Sequence, residues 1–418
     1  MSRWRWLLTQ LTRRLSWRAS LIGFMGVAAA VIAAFAERFI PWDLPYSIDA
    51  SSVLGILTIM ASSMLAVTTF SLSVMISAFG AATSNVTPRA TKLLMEDSTT
   101  QNVLSTFIGA FLFSMVGIVL LETGVYGESG HLVLFFFTVT VIVLIVISLL
   151  RWINQLTLLG RVGETTDRVE NATLKAINQR LDMPYLGGQR LDTQYLAKTY
   201  KVPVRVDCVG YVQNVDMHAL NALSAHLEID ISLCAIPGCF VYPHTNLLYL
   251  HTKPGEELHE HHLHAAQHAF TVAKERTYDQ DPRFGLAVMS EIGSRALSSA
   301  INDPGTAIDI LGRLTRLMAA WSRGRNLEHQ AIFPRIFVPP LSTADLFEDA
   351  FALMARDGAG LIEVQLRLQK NLHALAKMGD TEFRTAALEM AEVALLRAEQ
   401  ALPFERDRLH LRRVVETL

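Results

Sequence analysis

From Ala50 to Pro88 the chain carries no charged side chain; Asp49 stands just before the run and Arg89 just after it. A helix rises about 1.5 Å per residue, so one helix over this stretch reaches roughly 55–60 Å. The hydrocarbon core of a bilayer is only about 30 Å thick. The stretch is therefore long enough to cross a membrane and project beyond it. Its polar residues are grouped: Thr58, Ser62, Thr69, Ser73, Ser77 and Gly80 fall within an arc of roughly 100° on a helical wheel. Leu54, Leu57, Met60, Leu65, Val67, Leu72, Met75 and Ile76 occupy the rest. The five hydroxyls are candidate lining of a water-filled path. Taken alone, the stripe is explained more simply by hydroxyls that bond back to their own helix or join neighbouring helices.

The rest of the N-terminal part fits the same solvent. Met1 to Ser20 mixes Arg3, Arg5, Arg13, Arg14 and Arg18 with Trp4, Trp6 and Trp17, which suits a cytoplasmic headgroup layer. Ala19 to Ala36 is uncharged and just long enough to span. Ala34-Phe35-Ala36 also fits a signal-peptidase site, so a cleaved signal peptide stays open as an alternative. Gly26, Ala30 and Ala34 offer a small-residue face for close packing, as do Ala110, Ser114 and Gly117 in a third span over Val103 to Leu121. Leu132 to Leu150 is the fourth. The two loops assigned outside carry Arg38 against Glu37, Asp43, Asp49, Glu122 and Glu128, whereas arginine and lysine gather at the N-terminus, near residues 89–92 and after residue 151. The positive-inside rule then gives four transmembrane helices in a bacterial inner (cytoplasmic) membrane, with both termini cytoplasmic.

After residue 152 the composition becomes that of an ordinary soluble protein. The expected division is a transmembrane four-helix domain over 1–152, a helical connector over 153–200, a small β-rich unit over 201–252 and a helical domain over 253–418. Arg151 to Leu181 is expected to continue the fourth span as a rod, broken by Gly187-Gly188. Val202 to Val215 alternates as a strand, with Val204, Val206 and Cys208 on one face; Glu228 to Ala235 alternates with Ile229, Ile231 and Leu233 inward. Asp216 can cap a short helix to His226, and Pro237-Gly238 is a turn. Helices are expected over 256–277, 283–300, 304–322, 343–373, 380–401 and 404–415, with Pro334, Pro339 and Pro340 in a linker. The fold class is thus a membrane α-helical part plus a cytoplasmic α+β domain. The net charge of -2 leaves no nucleic-acid footprint. Three cysteines, Cys208, Cys234 and Cys239, make no disulfide framework and suit a reducing compartment.

Two constellations stand out. His261, His264 and His268 share one helical face beside Glu257 and Glu260 and could present imidazoles to a transition metal. The HExxH spacing fails, because Leu263 stands where the second histidine should be; a solvated, pH-responsive face is the simpler reading. The second runs from Arg295 to Ala307, Arg-Ala-Leu-Ser-Ser-Ala-Ile-Asn-Asp-Pro-Gly-Thr-Ala. Asn302 can end one helix in the left-handed region, Asp303 can cap the next, and Pro304 can start it. Glu291 and Arg295 can pair along a helix face. The segment reads either as a capped helix junction or as a polar cup of Arg295, Asn302, Asp303 and Thr306 for an ion, ligand or neighbouring subunit. Arg313 and Arg316 read as an exposed basic face. No nucleophile elbow, P-loop or dinucleotide fingerprint occurs, so no enzymatic activity and no cofactor are expected.

These motifs resemble a family of predicted bacterial membrane proteins known only as a domain of unknown function. The resemblance covers nearly the whole chain. It rests on Phe70-Ser71-Leu72-Ser73-Val74, Thr87-Pro88-Arg89, Phe107-Ile108-Gly109-Ala110-Phe111-Leu112-Phe113, and Gly210-Tyr211-Val212-Gln213 with Asp216. Its most specific part is Asp281-Pro282-Arg283-Phe284-Gly285 followed by Ala296-Leu297-Ser298 and Ile301-Asn302-Asp303-Pro304 to Thr306-Ala307. Ser299 stands where the pattern has proline. The resemblance implies the four-span layout and the cytoplasmic domain, and supplies no activity.

Two functions compete. One is an oligomeric channel or transport protein: a homo-oligomer in the lipid bilayer, passing a small ion through a pore lined by the second helix, with Arg89 and Glu96 as nearby charged rings. The other is a membrane-anchored sensor or scaffold that binds a ligand or partner through its cytoplasmic domain.

Overall fold

The computed structural model describes residues 15–35, 49–95, 97–126, 128–158, 161–191, 200–252, 258–324 and 330–418. The chain forms two compact units, one from described residues of 15–84 and 91–165, the other from residues 166–418 together with 85–90. The arginine-rich start up to residue 14, most of the acidic loop 37–49, and Glu96 lie outside the described residues.

The first unit is all helix: α1 (Leu15–Phe35), α2 (Ala50–Asn85), α4 (Ser98–Glu122) and α5 (Glu128–Leu158), with the short α3 (Pro88–Met95) between α2 and α4. The charge-free run does form one helix of 36 residues. It ends where Pro88 begins a new helix, with Thr87 Oγ1 accepting from Ala90 N at 3.4 Å. Among the described residues three helices are long and apolar enough to cross a membrane, over Ala50–Ala81, Ser98–Glu122 and Gly130–Thr157. The expected fourth, α1, falls short. Its apolar stretch among the described residues is Ala19–Ala33, about 22 Å of helix.

Helices α1 and α4 touch backbone to backbone: a Cβ on Gly26 would stand 2.7 Å from the carbonyl oxygen of Gly109. The small-residue faces exist for this approach. The Tyr126 hydroxyl donates to Ala30 O at 2.7 Å and ties the end of the pair. Helix α2 joins the unit through one seam, Val53, Leu57, Met60 and Met64, packed in the core with Phe107, Phe113, Leu134 and Trp152. Leu57 lies over Gly117, whose Cβ would meet Leu57 Cδ1 at 3.1 Å.

The second unit is mixed. After α5 the helix is interrupted: Arg161 is outside it and α6 (Val162–Asp182) starts afresh, so the rod is two helices. A 3-10 turn (Pro184–Gly187) leads to β1 (Gln189–Arg190). Strands β2 (Tyr200–Arg205) and β3 (Gly210–Val215) follow, then α7 (Met217–Leu227), β4 (Asp230–Leu233), β5 (Phe240–Val241) and β6 (Asn246–Thr252). Next come α8 (Glu260–His268), β7 (Phe270–Ala273), α9 (Pro282–Ala296), α10 (Pro304–Gly324) and β8 (Ile336–Val338). Four helices close the chain: α11 (Thr343–Asp357), α12 (Ile362–Ala376), α13 (Thr381–Ala401) and α14 (Glu405–Glu416).

The strands form two sheets, ordered β1-β8-β4-β6-β2 and β5-β3-β7. The stretch Val202 to Val215, expected as one strand, is divided between them, and Cys208 is exposed in the turn between. Ile229, Ile231 and Leu233 are buried as their alternation requires, in a core with Leu220, Leu247 and Leu250. Strand β7 lies inside the region expected to be a long histidine-bearing helix. Strand β8 lies inside the expected linker, and the expected helix 343–373 is divided by Gly358 and Gly360.

Candidate functional site

The hydroxyl stripe of α2 is exposed along its length: Thr58, Ser62, Thr69, Ser73 and Ser77 all lie on the open face. At about 100° per residue that face is centred about 180° from the Val53–Leu57–Met60–Met64 seam. Large apolar side chains flank it, Ile59 and Phe70 on one side, Leu65, Leu72 and Ile76 on the other, all exposed. Four of the hydroxyls donate to the carbonyl one turn earlier: Thr58 to Leu54 O at 2.8 Å, Ser62 to Thr58 O at 3.0 Å, Thr69 to Leu65 O at 2.9 Å and Ser73 to Thr69 O at 3.0 Å. The proton is thereby turned inward and the oxygen lone pairs stay outward.

The Arg295–Thr306 segment is the capped junction that its sequence describes. Asn302 takes φ 48, and Asp303 N returns to Ala296 O at 2.8 Å. Asp303 caps α10, accepting from Thr306 N at 3.0 Å and from the Thr306 hydroxyl at 2.6 Å. Those two hydrogen bonds hold its carboxyl below the ordinary 3.8. The expected Glu291–Arg295 pair is replaced: Glu291 is ion-paired with Arg89.

Around that pair a cleft of about 690 Å³ opens, lined by Thr87, Pro88, Glu291, Ser294, Arg295, Ser298, Ser299 and Asp357. Two sequence motifs far apart in the chain, Thr87-Pro88-Arg89 and Ala296-Leu297-Ser298, thus meet in one place. Ser294 donates to Asp357 at 2.5 Å and Arg356 binds the same carboxylate at 2.6 Å. Burial alone would raise the Asp357 carboxyl, but those bonds carry it below its ordinary value.

The Asp-Pro-Arg-Phe-Gly motif is structural. Asp281 caps α9 at Phe284 N (3.2 Å) and is bound by Arg276 at 2.7 and 3.0 Å. Arg283 joins Asp345 and Asp349. A Cβ on Gly285 would collide with Thr173 Oγ1 at 2.0 Å, so only glycine lets α6 and α9 pass.

His261, His264 and His268 are exposed and do not converge. His264 is 3.7 Å from Glu260, whereas the His261 ring lies tilted against His262 with centroids 3.9 Å apart, and His259 and His226 are near the His262 ring. Among the described residues no three His, Cys, Asp or Glu side chains could hold a metal ion. Arg313 and Arg316 are not a bare basic face. Arg313 binds Asp167, Glu170 and Asp309, and Arg316 binds Glu170 through two nitrogens. Asp167 and Glu170 share the three-residue spacing of Arg313 and Arg316, a complementarity visible in the sequence once the two helices are paired.

A family model described as "Predicted membrane protein (DUF2254)" matches residues 12–374. Uncharacterized proteins of Mycobacterium bovis and Mycobacterium tuberculosis are each 25% identical over 272 residues, 62% of this chain and 51% of the relative. The chain thus spans about half the length of these relatives. No solved structure matches.

Proposed function

This chain belongs to the DUF2254 family of predicted membrane proteins, and we propose that it is a non-enzymatic, oligomeric channel or transport protein of a bacterial inner membrane. In this reading α1 is a fourth, shorter crossing, both termini are cytoplasmic, and several copies of α2 surround a pore. The mixed unit is the cytoplasmic regulator. The observation that carries the proposal is the exposed hydroxyl stripe opposite the seam that α2 uses within its own unit. An assembly that turned the stripe to an axis would bury the flanking Phe70, Leu72 and Ile76 between copies. Outward lone pairs with inward protons make a ring of acceptors, which favours a small cation or neutral solute over an anion. Arg89, the first charge after the helix, is paired with Glu291, so its field is muted.

The test is flux through liposomes carrying the full chain, with cysteines placed singly along α2. Positions 58, 62, 69, 73 and 77 should react with a water-soluble thiol reagent and block flux, while 53, 57, 60 and 64 stay silent. Absence of flux, or a monomer in lipid, removes the proposal. The back-bonded hydroxyls favour a second reading, an anchored sensor or scaffold; there all α2 positions would be equally unreactive.

A further inference from the structure

Helix α13 (Thr381–Ala401) has an inverted distribution of apolar residues. Ala386, Ala387, Ala391, Ala394 and Ala398 are buried, together with Phe383, where it packs on α11 and α12. At about 100° per residue, Leu388, Val393 and Leu396 are centred about 180° round the helix from those alanines. All three are exposed, Leu396 at 54%. Of the leucines in α13 only Leu395 is partly covered, against the Ala398, Leu402 and Leu411 cluster. A helix stabilised by its own unit alone turns its leucines inward.

The charges on the same helix are divided in a matching way. Glu382 accepts from the Thr343 hydroxyl at 2.6 Å, and Glu399 is bound by Arg412 at 2.5 Å. Arg384, Glu389, Glu392 and Arg397 lie on the exposed side. Among the described residues none of these four side chains is in an ion pair or a hydrogen bond. Arg397 is felt by Asp357, but that carboxylate is bound by Arg356 and Ser294. Within α13 the four cannot satisfy one another. Glu389 and Glu392 are neighbours on the helix surface and repel, and each arginine stands about 140° of turn from the nearer glutamate.

The order Arg-Glu-Glu-Arg reads the same in both directions, which is what a two-fold contact requires. Glu389 and Arg397 are equally far from Val393, one turn before it and one turn after. If two antiparallel copies of α13 share an axis at Val393, Glu389 lies level with the partner's Arg397, twice over. Glu389, Val393 and Arg397 also form one ridge at four-residue spacing, and such ridges interdigitate in the commonest class of helix packing. Leu388 and Leu396 belong to the next ridge, beside the groove so filled. One pair of helix faces is small beside the roughly 1,200–2,000 Å² of a standard interface. Copies held in one bilayer meet at a raised effective concentration, where a small face suffices.

We propose that the exposed face of α13 docks on the same face of a second copy of this chain, antiparallel, with Val393 at the two-fold axis and Glu389 paired with the partner's Arg397. The contact rests on the oligomeric part of the reading above and needs no conduction.

The experiment is oxidative crosslinking of the full chain in liposomes at low protein density. The parent, with Cys208, Cys234 and Cys239, sets the baseline. A residue on a two-fold axis meets itself, so Val393→Cys should form a disulfide dimer at least about tenfold faster than Glu348→Cys, an exposed position on α11. In the Val393→Cys chain, Glu389→Arg should slow that reaction at least about fivefold, because like charges then face each other on both sides of the axis. Arg397→Glu should do the same, and the two reversals together should restore the rate. The proposal is overturned if Val393→Cys reacts no faster than Glu348→Cys, if either reversal leaves the rate unchanged, or if the double reversal fails to restore it. A dimer that forms without the crosslink at 393 overturns this contact and leaves the conduction reading standing; a chain monomeric in lipid overturns both.

Discussion

Arg313 and Arg180 are both buried arginines of the mixed unit, and their surroundings are opposite. Arg313, its side chain 11% exposed, is bound by three carboxylates from two helices. Arg180, at 7%, has two nitrogens with no hydrogen-bond partner among the described residues. Where a charge holds helices together, the chain supplies its counter-ions. The Arg276–Asp281 pair stands with Arg313, since Asp281 is only 3% exposed.

The comparison can be broken by mutation. The largest effect is expected for Arg276→Leu, which strands a buried carboxylate and should cost about 3–5 kcal/mol in urea unfolding of the full chain in detergent. Burial already raises the Asp281 carboxyl, and the variant raises it further. A raised folded value means stability lost as pH rises through it, so the deficit should shrink in acid. Arg313→Met should cost roughly 1–3 kcal/mol by the same measurement, less because Asp167 and Asp309 are half exposed. If either variant proves harmless, the distinction fails.

Smaller effects sharpen it. Asp303→Ala should cost about 1 kcal/mol through the lost cap, and Asp303→Asn only a few tenths. Because Asp303 is held below 3.8, its contribution is present above that pH and lost as pH falls through the folded value. The parent should therefore fall toward Asp303→Asn in acid unfolding. The slightest effect is expected at His262, which burial, then His261, His259 and His226, hold below 6.5. Stability should decline as pH drops from 6.5 through the lowered value, and His262→Asn should flatten that slope in thermal scans.

What the sequence made legible was local. The neutral run gave α2 almost to the residue, and Asp216, Asp303 and Pro304 announced their helix starts by cap chemistry alone. Gly26 and Gly117 marked close approaches. Three short elements were hidden because tertiary pairing decides them: β7 is defined by its ladder with β3, β8 by parallel partners β1 and β4, and β1 by β8. Pro339 and Pro340 made β8 read as linker. The Glu291–Arg89 pair and the orphaned Arg180 were beyond periodicity, since nothing in the run Asn178-Gln179-Arg180-Leu181 distinguishes a solvated arginine from a buried one.

The glycine contact between α1 and α4 has a mechanical corollary. Backbones that touch leave no compliant layer of side chains to deform, and half of the α4 span is buried against 28% of the Ala50–Ala81 span. The α1–α4 pair is thus a stator: were this unit to move, α2 would slide or roll across a fixed platform on its leucine and methionine bearings, rather than the whole bundle breathing.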